Sequence, residues 1–493
     1  MATDARGPAV LAGVVTLGVL FLAVTSPGSD DLPEWARGGA VPASVPASAP
    51  VSAPASAPVS APVSAPASSS AAGPGEETRR GEEAGREARP EIGQEPREQV
   101  RQEIRVGPAG DYRTLREAVE AASPHAVIRV APGTYREFPL SIDRPLTLVG
   151  EGWPVLDGEG THSILLVDAD SVHVEGFELR GAGKSYTQDH AAIKVEEHVG
   201  CRILNNRLED NFFGIYLARS RECEVRGNRV RSDATREADS GNGIHLWDVE
   251  RVQVVDNRMA GHRDGIYLEF ARGVIIRGNT SEENLRYGLH FMFSDDSFYQ
   301  DNVFRKNGAG VAVMYTRNVV MSGNRFEDNW GPAVYGLLLK DVQDSLVEGN
   351  LFRRNSVALF VEGADRVTFR LNRVERNGWA VRILGSSQDN HFTANDFIDN
   401  TFDVTTNARR SDNTFERNYW SAYRGYDLSG DGFGDVPHRP VRLFSYIVEG
   451  KPAALILLRS FFVDVLEVAE RVLPVLTPEA LVDPEPRMRE VQP

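Results

Sequence analysis

Cysteine is the scarcest chemistry in this chain: Cys201 and Cys223 are the only two in 493 residues, too few for a disulfide framework. Stability has to come from packing. Basic clusters are missing too, since the formal net charge is -16 and no Lys/Arg-rich block interrupts the foldable part, which excludes nucleic acid as a partner. Long apolar runs are absent except for PAVLAGVVTLGVLFLAV at 8–24, which follows Arg6 and precedes Ser29, Asp30 and Asp31. It reads as an export signal or a signal anchor within 1–28, with cleavage and retention both open, and either outcome exports the rest.

What is present begins with a tether at 29–105. VPASVPASAPVSAPASAPVSAPVSAPASS (41–69) favours extended polyproline II, reaching on the order of 90 Å at about 3.1 Å per residue. The Glu/Arg-rich stretch 74–103 has almost no large apolar groups and is expected to stay disordered. A capping helix follows in DYRTLREAVEAA, where Asp111 is the expected N-cap and Tyr112, Leu115, Val119 and Ala122 share a face.

The dominant feature is a repeat. Asn206, Asn228, Asn257, Asn279, Asn302, Asn324, Asn350, Asn372, Asn395 and Asn418 recur at spacings of 22 to 29, and in seven of these ten repeats a second Asn lies five residues on. Fourteen residues before each first Asn stands a small residue, Ala192, Gly214, Gly243, Gly265, Gly288, Gly310, Gly336 or Ala358, or else Val381 or Val404. The leucine-rich frame is lacking. The pattern predicts an all-β fold, a right-handed parallel β-helix over 106–420 with one coil per repeat and Asn amides stacked coil on coil.

A fixed register puts equivalent positions in columns. Positions one and three after the small residue are apolar and face the core. Position two carries Tyr216, His245, Tyr267 and His290, and position four Trp247, Glu269, Met292 and Met314, so both columns face outward. Two thioethers one coil apart beside imidazole suit Cu(I), because soft ligands select it over hard divalent ions; His245, His290, Met292 and Met314 are the candidate ligands. The same Met and aromatic groups equally suit a docking surface for another protein, with Trp247 and Tyr267 in it. Met259 falls in an inward column and is expected in the core. Cys201 and Cys223 also share an inward column; parallel Cβ vectors fit bridge geometry poorly, so they are expected as stacked thiols.

Beyond the repeats, residues 421–485 hold two features. DLSGDGFGD spaces Asp427, Ser429, Asp431 and Asp435 like half a calcium loop, but the twelfth position is His438 rather than Glu. KPAALILLRSFFVDVLEVAERVLP predicts an apolar helix broken by charges, capping the solenoid or docking through Phe461 and Phe462. Residues 486–493 are expected as a loose tail.

Taken together, GNGIHLW, DGIYLEF, RYGLHFMFSDD, GAGVAVMY, NRFEDNWGPAVYGLLLKD and NYWSAYRGYDLSGDGFGD, followed by PVRLFS and PAALILLRSFF, resemble the NosD family of nitrous oxide reductase maturation proteins over about residues 105 to 485. The resemblance implies a periplasmic, non-enzymatic β-helix of the carbohydrate-binding and sugar-hydrolase type. It further implies an ABC transporter permease and its ATPase, a copper chaperone lipoprotein and nitrous oxide reductase as partners in building a copper-sulfide centre. The apolar run and tether depart from a simple cleavable signal and point to a protein held at the inner membrane. The rival reading is a glycan-active enzyme on the same solenoid. A glycosidase needs two carboxylates about 5 to 9.5 Å apart, whereas Glu269 and Glu362 lie four coils apart in one column, on the order of 19 Å.

Overall fold

Each asparagine of the main repeat is buried and hands its amide to the next. In this computed structural model the described residues are 101–473 and 481–491, apart from 186, 332–333 and 409. Asn302 shows the rule: its Nδ2 donates to Ile276 O (2.9 Å) and Asn324 Oδ1 (3.0 Å), while its Oδ1 accepts from Asn279 N (2.9 Å) and Asn279 Nδ2 (3.0 Å). The chain of bonds runs unbroken from Asn206 to Asn418, and a parallel one links Asn284, Asn307, Asn329, Asn355, Asn377 and Asn400. A corner residue inside the solenoid cannot reach water, so a side chain carrying both donor and acceptor replaces it.

The coils close into three sheets of 14, 12 and 13 strands, every named pair parallel, as expected of the right-handed parallel β-helix. Strands of the 12-stranded sheet are the longest, up to nine residues at Ala309–Arg317 and Tyr335–Gln343. The expected inward columns fill the core: Ile215, Leu217, Ile244, Leu246, Ile266, Leu268, Leu289 and Phe291 are fully buried, and so is Met259. The glycine column has its reason in close approach rather than in backbone sign. A Cβ on Gly243 would stand 2.7 Å from Gly265 O, and one on Gly288 would stand 2.8 Å from Gly310 O. Near the end the register slips by one residue, because Trp379 pairs with Val357 and Val381 with Leu359. Ala380 and Asp403, rather than Val381 and Val404, therefore continue the small-residue column.

Three further expectations are corrected. Helix α1 (Leu115–Ala121) is capped by Thr114, whose hydroxyl accepts from Glu117 N, while Asp111 instead accepts from Arg105 N. Cys201 and Cys223 form a disulfide with Cα atoms 4.6 Å apart. Each sits just before a strand, in a corner where side-chain vectors are not held parallel as they are within a ladder. The C-terminal apolar stretch is not one helix: α2 (Leu443–Gly450) precedes a 3-10 turn at Pro452–Leu457, and α3 (Phe461–Val472) follows.

The solenoid end is closed by Trp420, Val441 and Leu481 in the main core, while Phe444, Val448 and Val463 of the helices pack on Phe402 and Trp379 of the last coils. Asp483 terminates the Asn ladder, its carboxylate accepting from Asn418 N and Nδ2 (3.1 Å each) and from Trp420 Nε1 (2.9 Å). Residues 487–491, expected as a tail, lie against the coils through Arg487, Glu490 and Val491. The signal or anchor at 1–28 and the tether up to residue 100 lie outside the described residues, among which no helix is long and apolar enough to cross a membrane.

Candidate functional site

On the outer face of the 12-stranded sheet, strands Phe213–Ala218, Asn242–Trp247, Asp264–Glu269, Tyr287–Met292 and Ala309–Arg317 lie side by side. Their register aligns Tyr216, His245, Tyr267 and His290 in one row and Trp247, Glu269, Met292 and Met314 in the next. Met292 and Met314 are direct partners on neighbouring strands, half-buried. The two rows are those expected from the repeat.

Outward orientation does not mean exposure here. The aromatic row packs on itself: Tyr216 stacks on His245 at 4.6 Å, His245 on Tyr267 at 4.9 Å, and Tyr267 meets His290 edge-on at 5.2 Å. Tyr287 lies 4.7 Å from the His290 ring on its other side. His290 ends up 7% exposed, and neither of its ring nitrogens has a hydrogen-bond partner. Burial drives its pKa down to about 4 against the pull of Asp264, so the ring is a free base at neutral pH. His245 is likewise neutral, pushed to about 3 by burial and then by Arg263, and its Nδ1 accepts from Asn242 Nδ2 at 2.9 Å.

Asp264 is the hub below this row. Fully buried, it accepts from Arg286 Nε (2.8 Å) and Tyr287 N (3.2 Å), and its Oδ2 lies 3.9 Å from His290 Nδ1. Arg263 approaches the same oxygen at 4.0 Å and donates to Asn242 Oδ1. The carboxylate thus faces the Nδ1 edge of His290, while Nε2, also buried, has no hydrogen-bond partner. Asn242, Arg263, Asp264 and Arg286 were not picked out by the repeat. A polar residue directly before the column glycine, at Asn242 and Asp264 where other coils have Phe213 or Tyr335, was the available signal.

The donor set fits soft-metal chemistry: two thioethers in register, and an unprotonated, unpartnered imidazole two residues from one of them. Among the described residues no three His, Cys, Asp or Glu side chains gather as a ligand cluster, so any such site depends on the methionines. Trp247 lies beneath the Arg219 guanidinium at 5.3 Å and packs with Tyr216. Phe461 and Phe462 are 80% and 50% exposed on α3.

The Asp427–Asp435 loop stands apart from this face. Asp427 accepts from Ser429 Oγ (3.2 Å), Gly430 N (2.6 Å) and Gly432 N (2.9 Å), Asp431 from Phe433 N, and Asp435 from Leu428 N. These bonds account for its shape without an ion. His438 is half-buried, its ring 5.0 Å from that of Trp420. Other carboxylates are also engaged: Asp189 accepts from Tyr216 OH, Asp295 from Thr316 and Arg317, Asp296 from Arg272 and Asn318.

The family model described as "Periplasmic copper-binding protein (NosD)" matches residues 229–425, which include the whole methionine and histidine face. The chain is 31% identical over 378 residues to a protein of Stutzerimonas stutzeri named "Probable ABC transporter binding protein NosD", covering 73% of this chain and 86% of that one. A Pseudomonas aeruginosa protein of the same name is 34% identical over 367 residues, covering 71% and 85%. Among solved structures, the Azotobacter vinelandii mannuronan C-5 epimerase AlgE6 A-module superposes with a TM-score of 0.50 at 11% identity, covering 61% of this chain and 93% of that one. A Yersinia enterocolitica family 28 exopolygalacturonase does so with 0.50 at 13%, covering 64% and 78%. At such identities the likeness establishes the solenoid and nothing about chemistry.

Proposed function

Because the chain belongs to the NosD family, we propose that it is a periplasmic accessory protein that carries Cu(I) as cargo on its His/Met face for maturation of the copper-sulfide centre of nitrous oxide reductase. Met292 and Met314 supply thioethers and His290 supplies an imidazole nitrogen; His245 supports the ring stack and is the reserve ligand. Supporting this is one observation above the others: His290 is buried, neutral at pH 7 and without a hydrogen-bond partner at either nitrogen, on the strand that carries Met292. A buried polar group in that state needs a water or a ligand to complete it, and at His290 two thioethers stand close by.

The names of the relatives support an ABC transporter as the docking partner. Helix α3 is the surface we assign to its permease. Glu467 is paired with Arg442 and Glu470 accepts from Leu443 N, so these acids turn inward toward α2. Phe461, Phe462, Val465, Val468 and Val472 face out, each at least 45% exposed. A copper chaperone lipoprotein would load the face and the reductase would receive from it. Retention at the inner membrane by residues 1–28 would keep these partners within reach of a long linker.

A competition titration against a colorimetric Cu(I) chelator tests the reading. The wild-type chain is expected to strip copper from the chelator, and Met292→Ser/Met314→Ser to lose at least tenfold in affinity. Equal affinity of both would remove the methionines from the site.

A further inference from the structure

The corner that follows the 12-stranded sheet has left-handed backbone in coil after coil. Its column holds Glu197, Arg219, Asp248, Phe270, Phe293, Tyr315, Asp341 and Gly363, with φ between 48° and 65°. Bulky aromatic rings are the least suited of these to that backbone. Elsewhere the fold uses charged residues or glycine, so the solenoid itself does not ask for three aromatics in succession. Nor do they serve the core, being 49%, 45% and 42% exposed. They occur on the coils where Glu269, Met292 and Met314 immediately precede them, and Phe293 N donates to Met314 O at 3.1 Å.

The rings form a ladder, Phe270 to Phe293 at 5.3 Å and 12°, Phe293 to Tyr315 at 5.1 Å and 13°. Near-parallel rings that close cannot lie side by side in one plane without their C–H edges colliding, so they stand face to face and show solvent their edges. A pyranose stacks on an open face, and the inner faces here are taken. Ring edges carry the positive end of the aromatic quadrupole and are where thioether sulfur prefers to sit.

We propose that Phe270, Phe293 and Tyr315 form an edge-on rail that seats a methionine-bearing segment of the protein with which the Met292–Met314 pair exchanges Cu(I). The inference rests on the copper reading for its purpose but not for its contact. The rail grips the partner's thioethers while the adjacent pair of methionines takes the ion from them, one soft ligand replacing another without a change of oxidation state.

The test is fluorescence anisotropy of a labelled, methionine-rich dodecapeptide on the full chain without copper, beside the same peptide with norleucine at every Met. Phe270→Ser/Phe293→Ser/Tyr315→Ser should weaken the methionine peptide at least tenfold while leaving the Cu(I) titration and the thermal midpoint unchanged. Norleucine should weaken it to a similar degree. Equal binding of both peptides, or undiminished binding by the variant, overturns the proposal. An oligouronate that binds wild type and displaces the peptide would assign the rail to glycans instead. Because the peptide arm is read without copper, it stands or fails separately from the metal titration.

Discussion

Replacing Asn302 with Ala removes four hydrogen bonds from the middle of the ladder: those from Asn279 N and Asn279 Nδ2 to its Oδ1, and those from its Nδ2 to Ile276 O and Asn324 Oδ1. The damage is unequal. Asn279 Nδ2 still reaches Val254 O, and Asn324 Oδ1 still accepts from the backbone N of residue 302. Asn279 N–H loses its side-chain acceptor where water cannot reach, while Ile276 O loses one donor but keeps its place in the ladder with the strand Phe298–Gln300. At about 1–3 kcal/mol for the stranded amide, about 1 kcal/mol for the donor that Ile276 O loses, and a small cavity added, the loss comes to about 2–5 kcal/mol. That is a large fraction of a typical domain's stability, and it is local to two coils. Urea unfolding of Asn302→Ala should show a loss of that size, and native-state hydrogen exchange should show the Asn279 amide losing protection while the Asn395 amide keeps it. A loss below about 1 kcal/mol with Asn279 still protected would refute the view that the ladder holds the coils together.

Burial raises the pKa of Asp403, in the column other coils fill with glycine, to about 6, partly offset by Arg442. Unfolded, the carboxylate ionises near pH 4, so between roughly pH 4 and 6 unfolding releases a proton and stability falls as pH rises; above the folded pKa the cost is constant at about 3 kcal/mol. Asp403→Asn should abolish that fall, and parallel pH–stability curves for variant and wild type would contradict the assignment. Cys201→Ser/Cys223→Ser opens a loop of 22 residues and should lower the urea stability by about 3 kcal/mol. Wild type with two alkylatable thiols after denaturation without reductant would count against the bridge. Asp264→Asn leaves Arg286 without its buried partner and should cost about 3–5 kcal/mol in thermal unfolding, with Asp264→Asn/Arg286→Met regaining much of it. A single variant as stable as the double would remove Asp264 from its role as hub.

Most of the solenoid was legible because its physics is periodic. One Asn per coil, a small residue fourteen positions earlier and alternating apolar columns leave a trace at fixed spacing, and the face holding His290 and Met292 follows from that count. What was hidden depends on neighbours one coil away. His290 reads as a surface residue by alternation, yet the rings of Tyr267 and Tyr287 pack against it and Asp264 lies beneath it. Asp264 and Arg286 are 22 residues apart and reveal their pairing only once the register is known. One extra residue in each of the last two coils, between Ile383 and His391 and between Thr406 and Thr414, moved Val381 and Val404 out of the small-residue column, and the resulting Asn spacing of 23 also occurs earlier, between Asn279 and Asn302, where the column is undisturbed. The disulfide escaped because corner residues do not obey strand geometry. The C-terminal helical cap was legible as an apolar stretch broken by charges, but its division into α2, a 3-10 turn and α3 was not, because their packing partners, Phe402 and Trp379, lie on the last coils rather than in their own sequence.

Copper held as proposed, between the two thioethers and the imidazole of this face, has a spectroscopic signature. Cu K-edge X-ray absorption of the Cu(I)-loaded chain, beside His290→Gln and Met292→Ser/Met314→Ser, reads the donor set directly. A mixed shell of two sulfurs and one nitrogen is expected, with the nitrogen lost in the first variant and the sulfurs in the second. A shell of nitrogen and oxygen alone, unchanged in both variants, would contradict it.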